Sequence, residues 1–228
     1  MQTPVQQNPA ADQEQKIFPM ESSCAACRDC GEATILQDAY TVIAELWCSP
    51  HDVDINDIRR DAEEIIEGLM SADEEAAMML ARFIGAETIS EADYIDLFEL
   101  QPKCSLYLGG HSFDEPKTCA GAGVSDRNAY MIEVAAIYRH FGKAISGNEL
   151  PDYLPLMIDF LSLTTGSRND AVREKFIREY ILPFLPPMRK RLEEINTPYL
   201  HLLDVLERII SLDLNTLPVL VANEKQTV

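Results

Sequence analysis

Three cysteines are the first residues of this chain whose spacing could do chemistry: Cys24, Cys27 and Cys30, in the run CAACRDC. Thiolates so spaced suit a tetrahedral metal or part of an iron–sulfur cluster. The spacing repeats the first three ligands of the bacterial ferredoxin run, but the fourth would fall at Thr34, which cannot serve. Cys48 is the next thiol, about five helical turns further along. Two readings stay open: a metal site, or a surface thiol cluster at the start of the first helix. Further on, Cys104 and Cys119 bracket a loop containing His111. Their spacing fits no common zinc pattern, so loop residues are the simpler reading. Gly109–Gly110 lacks the lysine and the preceding strand of a phosphate loop. His51, His140 and His201 have no Ser or Cys nucleophile to serve. No catalytic constellation emerges.

A second stretch, NELPDYLPLMIDFLSL from Asn148 to Leu163, raises a different chemistry. A proline costs a helix nothing in its first turn, so Pro155 places a helix start no later than itself. Pro151 to Leu154 is then a stiff lead-in, and Asp152 is placed to cap free N–H groups. From Pro155 the run is apolar on every side, as in a central helix. Asp159 is the exception. Its carboxylate must be paired, lie at a groove surface or await a cation. With a helical lead-in it would share a face with Asp152.

The elements that must position these residues are helical throughout. Ile35, Ala39, Val42, Ile43, Leu46 and Trp47 mark one amphipathic helix, and Ile55 to Leu69 a second, capped by Asp54. Ala76 to Gly85 forms a shorter one. Another runs from Ser90 to before Pro102. Tyr130, Val134, Ile137, Tyr138 and Phe141 form a stripe closed by Gly142. Later helices carry Val172 to Tyr180, stopped by Pro183, then LPPMRKRLEEI, then Tyr199 to Ile210. Alternating strand patterns are absent. The expected fold is all-α: a single-domain bundle of eight or nine helices over residues 21–215. A disordered arm over 1–20 precedes it and a tail over 216–228 follows. Two long connections, Gln101–Ser125 and Lys143–Asp152, interrupt the bundle, and loops of that length are usually functional or mobile.

Composition narrows the partners. Across 228 residues, 38 acidic side chains face 19 basic ones, a net charge of −19. Such a surface repels nucleic acid and anionic lipid and attracts a basic peptide. No apolar run spans a bilayer and no secretory leader opens the chain, so a cytoplasmic protein with reduced thiols is expected.

Glu149, Pro151, Asp152, Leu154, Asp159 and Phe160 make the second stretch resemble the NarJ/TorD/DmsD family of molybdoenzyme maturation chaperones. That family carries a Glu-x-Pro-Asp-His pattern before an apolar helix with an acidic residue. Here Tyr153 stands at the histidine position and Asp159 at a frequent glutamate. The loop LYLGGHSFDEPKTC is similar to that of the NarJ-like branch, nearest the chaperones of dimethylsulfide and ethylbenzene dehydrogenases and of selenate and chlorate reductases. The resemblance implies a TorD-like bundle with no catalytic activity and no required cofactor. It implies binding of the immature catalytic subunit through its N-terminal twin-arginine signal or an equivalent peptide, until molybdenum cofactor is inserted. The cofactor-insertion machinery is a further candidate partner. An apolar groove with an acidic rim would suit that peptide. Glu149, Asp152 and Asp159 are the expected rim beside Pro151, with Tyr107, Tyr153 and His111 as contacts. The alternative is a small metal or iron–sulfur redox or sensor protein built on Cys24, Cys27 and Cys30.

Overall fold

Helix α1, Arg28–Leu46, buries Ala39, Tyr40 and Ile43 along one stripe, which Trp47 continues just past its end, and so touches several neighbours at once. This computed structural model describes residues 28–86, 90–113, 125–147 and 149–215, with side chains from Thr34 onward. The expected arm and tail, together with Cys24, Cys27 and Cys119, lie outside the described residues.

Helix α2, Ile55–Ala72, begins where Asp54 accepts the N–H groups of Asn56 and Asp57. Asp73 closes α2 and caps α3, Glu74–Gly85, through the Ala76 N–H. Ser90 caps α4, Glu91–Phe98, whose Tyr94 hydroxyl donates to the Trp47 carbonyl at the end of α1 (2.9 Å). Side-chain acceptors satisfy the N–H groups that each first turn leaves free.

After the first long connection, Ser125 caps α5, Asp126–His140. Gly142, at φ +67°, supplies the left-handed residue that ends it. Helix α6, Leu154–Leu163, follows the second connection and packs along α1, where Thr41 and Ser162 hydroxyls meet at 2.7 Å. Helix α7, Ala171–Lys175, widens into a π-helical stretch at Phe176–Ile181. Pro183 explains the widening: it has no N–H to continue the ladder, and its ring crowds the preceding turn. Within this stretch Tyr130 donates its hydroxyl to the Tyr180 carbonyl (2.8 Å). As expected, the helix ends before Pro183; a 3-10 turn over Leu182–Phe184 then leads into α8, Leu185–Ile195, the separate helix expected from LPPMRKRLEEI. Helix α9, Tyr199–Asn215, packs on α3 and α1.

The expected all-α, single-domain fold holds, with no strand among the described residues. One buried polar cluster ties it together: Arg173 bridges Asp213 at 2.8 Å, and the Tyr40 hydroxyl donates to the same carboxylate at 2.9 Å. Both charged groups are almost completely enclosed. No helix among the described residues is long and apolar enough to cross a membrane.

Candidate functional site

The two long connections meet. Leu108 N–H donates to the Asp152 carbonyl (2.9 Å) and Leu154 N–H to the Leu106 carbonyl (2.8 Å), forming an isolated antiparallel bridge between Tyr107 and Tyr153. Backbone pairing there forces the lead-in to α6 to be extended: Tyr153 has φ −69° and ψ 119°. The helix starts at Leu154, with Pro155 in its first turn as its chemistry requires. Because the lead-in is not helical, Asp152 and Asp159 do not share a face.

Tyr107 and Tyr153 place their ring centroids 5.5 Å apart. The Tyr107 hydroxyl donates to Glu149 Oε1 (2.9 Å), which also accepts the Leu150 N–H (2.8 Å). Burial and the adjacent Glu149 charge push the Tyr107 hydroxyl up to about 12. Glu149, Pro151, Tyr107 and Tyr153 are partly exposed, and Leu150 is exposed beside them. These residues form a small aromatic and acidic rim.

Asp152 lies beneath it, fully enclosed. Its carboxylate does not cap α6, as the sequence suggests, nor does it line the rim. One oxygen accepts the Gly109 N–H (3.1 Å) and meets an Arg127 nitrogen at 3.4 Å. The other oxygen and Arg127 Nε are buried without a hydrogen-bond partner in the structure. Burial pushes the Asp152 carboxyl above the usual range, while Arg127 and the Gly109 N–H pull it back. The approach is tight: a Cβ on Gly109 would meet Asp152 Oδ2 at 2.8 Å and the Tyr130 ring at 3.3 Å. Tyr138 completes the clamp by donating to the Pro151 carbonyl (2.9 Å).

The remaining expected site residues fall elsewhere. His111 ends the 3-10 turn Leu108–His111 and bonds the Ser105 carbonyl through Nε2 (2.7 Å). It lines a shallow cleft with Lys103, Lys190 and Arg191. Burial lowers its pKa, which favours the neutral ring. Asp159 sits on the exposed face of α6 with Leu156 and Leu163, so α6 is not enclosed on every side. Its apolar flank raises its carboxyl pKa against the pull of Lys143.

The cysteine expectations divide. Cys30 lies in the first turn of α1, and Cys48 follows the far end of that helix. About 27 Å of helix separates them, so Cys48 cannot complete a site with Cys30. The Cys48 thiol donates to the Ala44 carbonyl instead (3.4 Å), and burial pushes its pKa to about 11. Among the described residues no cluster of His, Cys, Asp or Glu is arranged to hold a metal.

Arg127, Gly109, Tyr130 and Tyr138 are the residues that sequence reasoning missed. Arg127 carried a usable signal. A cation in the first turn of a helix opposes the dipole and calls for a nearby acid.

A model of the nitrate reductase delta subunit family matches residues 67–190, more than half of the chain and all of this junction. The probable nitrate reductase molybdenum cofactor assembly chaperone NarW of Escherichia coli K12 is 27% identical over 126 residues, covering 55% of this chain and 49% of its own. The nitrate reductase molybdenum cofactor assembly chaperone NarJ of the same strain is 27% identical over 121 residues, covering 53% and 45%. The chain thus spans about half the length of the curated relatives it matches.

Proposed function

The chain belongs to the nitrate reductase delta subunit family, and on that footing we propose that it is a maturation chaperone for a molybdenum-cofactor oxidoreductase. It binds the immature catalytic subunit through its N-terminal signal region, assists cofactor insertion and holds back export until insertion is done. It works as a binding protein without turnover. The observation that carries this reading is the clamped junction, inside the matched segment. Two distant connections are locked so that Glu149, Tyr107 and Tyr153 form a rim over the buried Asp152. An anionic and aromatic rim suits guanidinium groups, through charge-assisted hydrogen bonds and stacking.

The test is affinity capture of the tagged chain from its native cells, with proteins identified and metals quantified in the eluate. An unprocessed molybdoenzyme catalytic subunit is expected, reduced by Glu149→Lys without loss of fold. Its identity decides between a nitrate reductase-type client and the dehydrogenase or selenate and chlorate reductase types. Failure to recover such a precursor, with iron or zinc near one equivalent, would move the centre of function to Cys24, Cys27 and Cys30.

A further inference from the structure

A second surface lies ahead of most of the matched segment, between α1 and α2. A cleft of about 480 Å³ runs between them, floored by Ile35, Val42 and Ile65 and rimmed by Asp38, Glu45, Asp61 and Glu64. The rim residues come from two matching helical faces, 38/45 on α1 and 61/64 on α2, at spacings that align side chains along an axis. Among the described residues Asp38, Glu45 and Glu64 form no ion pair. Asp61 meets Arg60 at 3.8 Å. The negative field is largely uncompensated: Asp61 and Asp159 both raise the Glu45 carboxyl pKa, after burial itself.

Gly68 closes the floor and supplies an independent observation. It stands inside α2, where glycine is less favourable than alanine. The fold gives no steric reason for it: a Cβ there would meet only Ile35 Cγ1, at an ordinary 3.8 Å. What the missing side chain does provide is room in the cleft.

We propose that the α1–α2 cleft docks a basic amphipathic helix, its apolar stripe on Ile35, Val42 and Ile65 and its arginines or lysines on the four carboxylates. Charge selects this occupant. A second copy brings a net charge of −19, and the chain's own residues ahead of α1 carry Asp12, Glu14 and Glu21 against Lys16. From Ile35 to Glu45 the cleft extends along about 15 Å of helix, room for about three turns of a partner. The proposal rests on the chaperone reading in one respect: the natural occupant is a basic helix-forming segment of the client.

The probe is a fluorescein-labelled peptide about 12 residues long, three helical turns, with leucines on one face and arginines on the other. A twin peptide replaces each arginine with glutamate. Fluorescence anisotropy should show saturable binding of the arginine peptide alone, weakening with salt. Gly68→Leu, which fills the cleft, should weaken it at least about tenfold while melting no lower than wild type. Asp38→Lys with Glu64→Lys should do the same, whereas Glu99→Lys with Glu193→Lys, an equal change of net charge elsewhere, should not. Equal binding to wild type and Gly68→Leu, or equal effects of the two charge reversals, overturns the proposal. Cellular capture separates the two ideas. A precursor recovered equally with wild type and Gly68→Leu refutes the cleft and leaves the chaperone reading intact. If no precursor is recovered but the peptide binds as described, the chaperone reading fails and the cleft stands.

Discussion

Removing the Asp152 carboxylate should destabilise the fold before it affects recognition. In Asp152→Ala the Arg127 charge, whose side chain is 16% exposed, loses its acid, and the Gly109 N–H loses its acceptor. Breaking a buried pair from one side costs about 3–5 kcal/mol. This pair belongs at the lower end. Its contact is 3.4 Å, and Asp152 Oδ1 and Arg127 Nε are already without hydrogen-bond partners. A loss of about 3 kcal/mol corresponds to a fall in Tm of about 6–12 °C for a chain of this size. Urea unfolding followed by far-UV circular dichroism reads it directly. Arg127→Met removes the stranded charge, so Asp152→Ala with Arg127→Met should recover at least about 1 kcal/mol relative to the sum of the single changes. A loss below about 1 kcal/mol for Asp152→Ala, or strict additivity, would refute the clamp. So would normal stability with capture of the precursor abolished, because Asp152 would then be a direct ligand.

Three further outcomes follow from the buried polar contacts. Gly109→Ala should cost about 1–3 kcal/mol by overpacking, since its Cβ would press on Asp152 and Tyr130; a melting curve like wild type would contradict the geometry. Arg173→Met, which takes the paired cation from the enclosed Asp213 and leaves it the Tyr40 hydroxyl, should cost about 3 kcal/mol in urea, whereas Tyr40→Phe should cost about 1 kcal/mol. Stability should also fall as pH rises above the ordinary carboxylate range. Burial raises the carboxyls of Asp38, Glu45, Asp152 and Asp159, so between the unfolded and folded pKa values the native state binds more protons than the unfolded one. Asp73 and Asp170 are lowered, and their contribution is lost only below that range. His111, which burial holds neutral, works the other way as pH rises toward its ordinary range, but it is one group against four carboxyls. Calorimetry should therefore find a higher Tm near about pH 5 than at about pH 8.

Local signals made the helices legible. Apolar stripes such as Ile35 to Trp47 and Tyr130 to Phe141 need only a period, and Asp54, Ser90 and Gly142 act within a turn of themselves. Pro155 likewise marks its own helix start. What the sequence hid was pairing at a distance. Nothing local says that Tyr107 bridges Tyr153, 46 positions away, or that Asp152 turns from α6 toward Gly109 and Arg127. Once the lead-in is read as helical, Asp152 and Asp159 fall on one face. An extended backbone held by Leu106 and Leu108 separates them. The α1–α2 cleft escaped for another reason. Asp38, Glu45, Asp61 and Glu64 occupy the polar faces of amphipathic helices, where charge is unremarkable until two such faces are set side by side.

Helix α5 ties these layers together and gives the site a division that experiment can use. One face of α5 sends Arg127 to Asp152, the Tyr130 ring to Gly109 and its hydroxyl to the Tyr180 carbonyl, and the Tyr138 hydroxyl to the Pro151 carbonyl. Each aromatic side chain buries its ring in the core and spends its polar end on a loop or a loosened helix. The connections are thereby fixed to a rigid element, and the rim rides on them. Glu149 and Tyr107 bond to each other and, apart from the Leu150 N–H, to little beneath. Tyr107→Phe should then cost at most about 1 kcal/mol, yet Tyr107→Phe and Glu149→Lys should both alter capture of a precursor. Changes at Asp152, Gly109 or Tyr138 should lower stability and capture together. If Tyr107→Phe and Glu149→Lys instead melt the protein as Asp152→Ala does, the rim is part of the clamp. A surface for arginine recognition would then have to lie elsewhere, with the α1–α2 cleft the next place to look.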